Sequence, residues 1–298
     1  MSIRFDGKVA IITGAGGGLG RSHALQLAKL GAKVVVNDLG GNVDGTGGSS
    51  TAAQKVVDEI KAAGGQAIAN GSSIIDKQGV ENLVKQTMDA YGRIDLLVNN
   101  AGILRDKSFS KVSLEDFQLV VDVHLMGAVY VTRAVWPIMI EQNYGRIVMV
   151  TSGSGLYGNF GQANYGAAKA GQVGLMNALK QEGRKYNIKV NTLAPIAATR
   201  MTESIMKPET LEALRPSLVT PAVLFMLSED APSGAIITAG AGFFAAAKMV
   251  EAQGMLLKGE VTADDVAANW GKISDFTNPL TYESVNDGIG RVFKLLKG

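Results

Sequence analysis

Cysteine is absent from the 298 residues, which excludes disulfides and thiolate metal sites. Only two histidines occur, His23 and His124, far apart in the chain, so no metal site is expected. Net charge is only +2 and no basic run exists, so a nucleic-acid partner is not expected. The first residues, MSIRFDGK, lack the apolar stretch of a signal peptide. The longest apolar run, residues 234–247, is too short and too glycine-rich to span a bilayer. The chain ends Leu296-Lys297-Gly298, without a peroxisomal tail signal. A cytoplasmic protein with no membrane partner fits these absences. What is abundant is glycine: 37 residues, above the usual share of about 7%. Tight turns and close backbone approaches are therefore expected.

The glycines cluster where chemistry would need them. VAIIT at 9–13 reads as a buried strand and runs into TGAGGGLG at 13–20. An amphipathic helical pattern follows, closed by Gly31, and then VVVND at 34–38. Strand, glycine turn, helix and strand make a βαβ unit with the turn where a dinucleotide pyrophosphate would sit. The strict G-x-G-x-x-G pattern fails from both Gly14 and Gly16; a flexible connector is the alternative. Asp38 closes the second strand, where a carboxylate accepts ribose hydroxyls and repels a 2′-phosphate, favouring NAD over NADP. Arg21 is the counter-signal, since it could reach a phosphate, and turn capping is the alternative role for Asp38.

Residues 40–50 form a glycine-rich loop. Helix 51–63, strand 66–70 and helix 77–91 follow, leading into IDLLVNNAG at 94–102. Ligands in open α/β sheets bind beyond the C-terminal strand ends, which places Asn99, Asn100 and Gly102 at the cleft. Residues 114–141 read as one long helix, interrupted or kinked near Pro137. The helix predicted at 163–186 is apolar on several faces, so a homodimer or higher homo-oligomer is expected. A strand at 190–193 leads to Pro195, Thr199 and Thr202 at a cleft edge. A helix at 221–227 and a strand at 235–238 complete the alternation. The fold class is α/β, a Rossmann-type doubly wound parallel sheet. Residues 1–240 are expected to form the dinucleotide-binding domain, and 241–298 a helical extension packing on it.

Tyr165 and Lys169 are four apart, on one face of the helix predicted at 163–186. An ammonium near a phenol favours the phenolate and tunes it for proton transfer. Ser152, at the end of an apolar strand, could aim a hydroxyl at the same spot. An exposed helical pair is the alternative for Tyr165 and Lys169.

TGAGGGLG, NNAG, Ser152, Tyr165 and Lys169 together resemble the short-chain dehydrogenase/reductase family over residues 7–240. Ser152 stands thirteen residues before Tyr165, the family's usual interval. NDLGG at 37–41, NNAGILRD at 99–106, YGNFGQANY at 157–165 and EGRKYNIKVNTLAP at 182–195 are similar to its (3R)-hydroxyacyl-CoA dehydrogenase branch. The resemblance implies NAD-dependent oxidation of a 3-hydroxyacyl-CoA to the 3-ketoacyl-CoA; a 17β-hydroxysteroid or another secondary alcohol is the alternative substrate. It implies that Tyr165 takes the substrate proton, Lys169 holds the tyrosinate and Ser152 hydrogen-bonds the substrate oxygen. Gly14, Gly18, Leu19, Gly20, Asp38, Ser72, Asn99, Ala101, Gly102, Tyr165, Lys169, Pro195 and Thr199 would bind the cofactor. Three positions depart from the family pattern. Ser72 stands where many members carry aspartate, Ile196 follows Pro195 in place of glycine, and His124 replaces the catalytic asparagine. His124 is either a proton-relay residue beside Lys169 or a core histidine bonded to a carbonyl. A sugar-nucleotide enzyme of the extended branch and a non-catalytic NAD sensor are the remaining alternatives.

Overall fold

A computed structural model describes residues 2–48, 51–197 and 208–297. Two compact units are distinguished, Met1–Ala246 and Ala247–Gly298. The boundary lies beyond the expected Gly240, because a last strand, β8 (Phe243–Ala247), follows β7 (Ile236–Gly240). Ala241 and Gly242 between them both have positive φ, 51° and 79°, the backbone of a two-residue hairpin turn.

The first unit is built on one eight-stranded sheet, ordered β3-β2-β1-β4-β5-β6-β7-β8. Its parallel members are β1 (Val9–Thr13), β2 (Lys33–Asn37), β3 (Gln66–Asn70), β4 (Leu96–Asn99), β5 (Gly145–Val150), β6 (Ile188–Pro195) and β7. β1, β4 and β5 are buried at every residue, as a sheet covered on both faces requires. The helices of this unit are α1 (Gly18–Lys29), α2 (Thr51–Ala62), α3 (Lys77–Tyr91), α4 (Leu114–Val121), α5 (Gly127–Gln142), α6 (Gly153–Tyr157), α7 (Ala163–Gly183), α8 (Pro208–Ala213) and α9 (Thr220–Leu227). Local chemistry sets several ends. Asp76 caps α3 by accepting from the amides of Gln78 and Gly79, and Gly92 ends it in a left-handed conformation. Ser113 caps α4 at the Asp116 amide.

The helix expected at 114–141 is interrupted, but not at Pro137, which lies inside α5. The interruption is one π-turn, Asp122–Met126, centred on His124. A π-turn moves backbone bonding one residue further along, and Gly127 N–H reaches the Asp122 carbonyl. The whole stretch Leu114–Gln142 is long and apolar enough to cross a membrane by length and composition alone. Here Val120, Val131, Val135 and Met139 are buried in the protein core instead.

The second unit contains α10 (Ala263–Ala268), α11 (Trp270–Ile273) and α12 (Val285–Lys297). A reciprocal Thr262–Asp265 cap starts α10. An antiparallel bridge joins Glu251 and Leu280. Along α12, Val285, Ile289, Val292, Phe293 and Leu296 form one apolar stripe.

The strand order reverses between β1 and β4, and a crevice opens there. Its two sides are tied by Thr13 and Asn100. The Thr13 hydroxyl accepts from the amides of Asn100 and Ala101, both at 3.1 Å. The Asn100 side chain donates to the carbonyls of Thr13 and Gly14 at 2.9 and 3.0 Å. Thr13→Val keeps the shape and strips two amides of their acceptor. We expect a loss of about 2–6 kcal/mol in urea unfolding, at about 1–3 kcal/mol per stranded donor. Thr13→Ser should restore most of it; equal stability of Val and Ser variants would count against the tie.

Candidate active site

The crevice is a cleft of about 420 Å³ running from the glycine turn to Tyr165, within the range of small-molecule sites. At one end lies the turn after β1. Gly14 has φ of 63°, and a Cβ there would come within 2.7 Å of the Ala101 Cα. Gly14, Gly17, Gly18 and Leu19 line the cleft at the N-terminus of α1, where free amides and the helix dipole suit a pyrophosphate. Gly20 is not on the cleft wall. A Cβ at Gly20 would sit 2.3 Å from the Gly14 carbonyl oxygen, so this glycine lets the turn close.

Asp38 stands one residue past β2, on the wall. Its two oxygens accept from the amides of Gly16 and Gly40, each at 2.7 Å. Turn capping and wall lining are thus one role: the capped carboxylate is oriented while remaining on the cleft. Gly16 permits this, since a Cβ there would lie 2.8 Å from the Asp38 carboxylate. Arg21 is paired with Glu59. The Ser72 backbone holds Asn37 and Asn70, its hydroxyl accepts from Asn82, and the residue lines the cleft.

Ala101, Gly102 and Pro195 also line the wall. Asn99 does not. Its amide donates to Thr132 at 2.9 Å, toward α5, and successive residues at a strand end face opposite ways. The wall position belongs to Asn100. Thr199 and Thr202 lie outside the described residues.

The opposite end gathers Ser152, Tyr165, Lys169 and His124. Ser152 caps the short helix α6 by accepting from the Ser154 amide, and its hydroxyl is close enough to the Tyr165 phenol to favour the ionised form. Lys169 is buried and donates to the Val150 carbonyl at the end of β5. Its ammonium stands 5.5 Å from the Tyr165 ring centre. Burial lowers the lysine pKa from 10.5 to about 7. The expected downward pull on the tyrosine is not what the free site shows. Burial raises the Tyr165 pKa, the Ser152 hydroxyl opposes that rise, and the Asp106 charge adds to it. Desolvation of the phenol thus outweighs the nearby lysine in the free site.

His124 is buried with its ring edge-on to Tyr165, centroids 5.0 Å apart. Its Nε2 lies 2.7 Å from the Ile103 carbonyl oxygen, and Nδ1 has no protein partner. Burial and then the Lys169 charge push its pKa well below 6.5, against the pull of the Ile103 carbonyl. His124 therefore packs against the tyrosine and lies close enough to the lysine to feel its charge. Gly102 makes the fit possible, because a Cβ there would lie 2.3 Å from the imidazole.

Sequence reading missed several lining residues. Loop 39–45 folds over the cleft: the Leu104 amide donates to the Val43 carbonyl and Arg105 to the Asp44 carbonyl. Gln162 and Ser154 line the tyrosine end, with the Gln162 amide 2.6 Å from Asp106 and its oxygen 2.6 Å from the Ser154 hydroxyl. The polar run NFGQAN, 159–164, was the available signal.

A family model described as short chain dehydrogenase matches residues 8–210. The chain is 48% identical to the peroxisomal multifunctional enzyme type 2 of Mus musculus, over 99% of this chain and 40% of that one. It is 49% identical to the putative short-chain type dehydrogenase/reductase Rv0148 of Mycobacterium tuberculosis, over 91% of this chain and 95% of that one. Among solved structures, full-length peroxisomal multifunctional enzyme type 2 from Drosophila melanogaster superposes with a TM-score of 0.82 at 38% identity, covering 99% of this chain and 50% of that one. A 7α-hydroxysteroid dehydrogenase complexed with NADH and 7-oxo glycochenodeoxycholic acid superposes with a TM-score of 0.72 at 32% identity, over 80% of this chain and 95% of that one. The chain thus spans half or less of these two type 2 multifunctional enzymes.

The depressed lysine gives a pH prediction. The unfolded chain protonates Lys169 up to its ordinary 10.5, the folded one only below about 7. Between those values the unfolded state holds the extra proton, so this group makes stability rise with pH. Lys169→Met removes that contribution. In urea unfolding from pH 7 to 10, the wild type should gain on the variant; parallel curves would exclude a buried lysine of this kind.

Proposed function

The chain belongs to the short-chain dehydrogenase family, and we propose that it oxidises the hydroxyl of a (3R)-3-hydroxyacyl-CoA to the ketone with NAD. The observation that carries the chemistry is one cleft with Asp38 at one end and the Ser152–Tyr165–Lys169 set at the other. When bound, oxidised NAD supplies the hydride acceptor and a positive charge that favours the ionised phenol. The chain's part is position and protons. The turn at 14–19 offers backbone amides to the pyrophosphate. Asp38, held by two amides, presents carboxylate oxygens to ribose hydroxyls and repels a 2′-phosphate; with Arg21 paired to Glu59, no counter-signal remains from that cation. Ser152 shares its hydroxyl between the phenol and the substrate oxygen. Tyr165 takes the substrate proton, and Lys169, with a pKa of about 7, stabilises the tyrosinate.

The acyl-CoA substrate rests on the resemblance to the multifunctional enzymes. A hydroxysteroid is the second reading, supported by the likeness to a hydroxysteroid dehydrogenase and by Ile103, Leu104, Leu119 and Val123 along the wall. Assays with 3R- and 3S-hydroxyacyl-CoAs and 17β-hydroxysteroids, each with NAD and NADP, decide between them. The 3R-acyl-CoA with NAD should give the highest kcat/KM, Asp38→Ala should narrow the cofactor gap, and Tyr165→Phe should keep NAD binding while losing at least about 100-fold in kcat. A preference for the steroid, or for NADP, would overturn the corresponding half of the proposal.

A homo-oligomer belongs to the same reading. Helix α7 turns Ala163, Ala167, Ala170, Gly174 and Ala178 outward, a strip of small residues that lets a second helix approach closely. Sedimentation velocity at micromolar concentration should show no monomer; a single monomeric species would count against it.

A further inference from the structure

The π-turn at Asp122–Met126 is held from two sides. On one side Gly102 and Ile103 receive the His124 ring. On the other lies α7. Gly171 makes room for Leu125, since a Cβ there would lie 2.8 Å from the leucine's Cδ2. The next residue, Gln172, is buried, and its Nε2 donates to the His124 carbonyl at 2.7 Å. A carbonyl only accepts, so the amide orientation is set: nitrogen toward His124, oxygen away. That oxygen is buried with no protein partner. The half of the amide that has a protein partner is thus the contact with the π-turn.

We propose that Gln172 is a positioning residue for proton transfer at Tyr165. It lies three residues after Lys169, so one helix face carries the lysine and the anchor of the π-turn. By fixing the His124 backbone it fixes the imidazole, whose ring packs perpendicular to that of Tyr165. The phenol thereby keeps the Ser152 hydroxyl and a neutral His124 ring as neighbours. Leucine or methionine at 172 would fill the space while leaving the carbonyl without its donor, and the turn would be free to bond along the helix as an ordinary α-turn. The imidazole would then leave the tyrosine.

The inference rests on the dehydrogenase reading but not on the acyl-CoA substrate, and its test separates the two. The chain has two histidines, so nitrogen-edited NMR of the untagged protein shows two imidazole spin systems. Gln172→Met should shift the His124 signals and leave those of His23 in place as the internal control. It should lower kcat about tenfold or more on any secondary alcohol the wild type oxidises, with NAD affinity unchanged, and displace the pH profile of kcat. If the variant does not fold, Gln172→Glu replaces it. Its protonated carboxyl can donate to the His124 carbonyl and its carboxylate cannot, so the ratio of variant to wild-type kcat should rise as pH falls. Unmoved His124 signals in Gln172→Met, or a flat ratio in Gln172→Glu, would overturn the role. A wild type inactive on every alcohol would refute the dehydrogenase reading and leave the NMR test standing.

Discussion

Everything at the cleft depends on keeping two parallel strand ends apart at their tips while tied at their roots. β1 and β4 are neighbours by hydrogen bonding, and beyond Thr13 and Asn99 their chains diverge to opposite faces of the sheet. Divergence strands backbone groups at the bottom of the crevice. Thr13 and Asn100 satisfy them with side chains, as donors and acceptors matched to the stranded groups. Once that floor is fixed, Gly14 can approach Ala101, the N-terminus of α1 faces the opening, and Asp38 reaches it from the next strand. A side chain at Gly14 would push directly on the floor.

The tyrosine end is governed by desolvation. Lys169, His124, Gln172 and Asn99 are polar groups inside an apolar interior, and each is held by a backbone carbonyl or a hydroxyl. Burial moves the groups in the directions that matter. It pulls lysine down to about 7, keeps histidine neutral, and keeps the phenol protonated in the unliganded site. The histidine and the phenol thus rest neutral beside a lysine whose charged form burial disfavours.

Much of this was legible in the chain. Unbroken apolar runs such as VAIIT and the strand of NNAG read as a parallel sheet because burial on both faces leaves no alternation. Asp38, Ser152, Tyr165 and Lys169 lie where strand-end and helix-face geometry put them. The less legible features came from tertiary packing. Pro137 is the residue a reader expects to break α5, but its ring is accommodated within the helix. The real interruption at His124 has no local signature, because it is set by Ile103 and Gln172, 21 and 48 residues away. Asn99 and Asn100 were separable only by knowing which face each takes after the last ladder bond. Residues 40–50 read only as a glycine-rich loop, since the docking of 39–45 depends on the Leu104 amide and the Arg105 guanidinium far along the chain.

Gly102 shows how these levels meet. As part of NNAG it reads as a turn glycine, yet its φ is not in the left-handed region, so the backbone does not demand glycine. The demand comes from the imidazole of His124, which occupies the space a Cβ would fill. The histidine in turn reaches that space because the π-turn carries it inward, and the π-turn is anchored by Gln172. A glycine in β4's loop, a histidine in the middle of a helix and a glutamine on α7 are therefore one packing unit around Tyr165. Substituting any one of the three changes what the other two can hold, and their effects on the tyrosine should be non-additive for that reason.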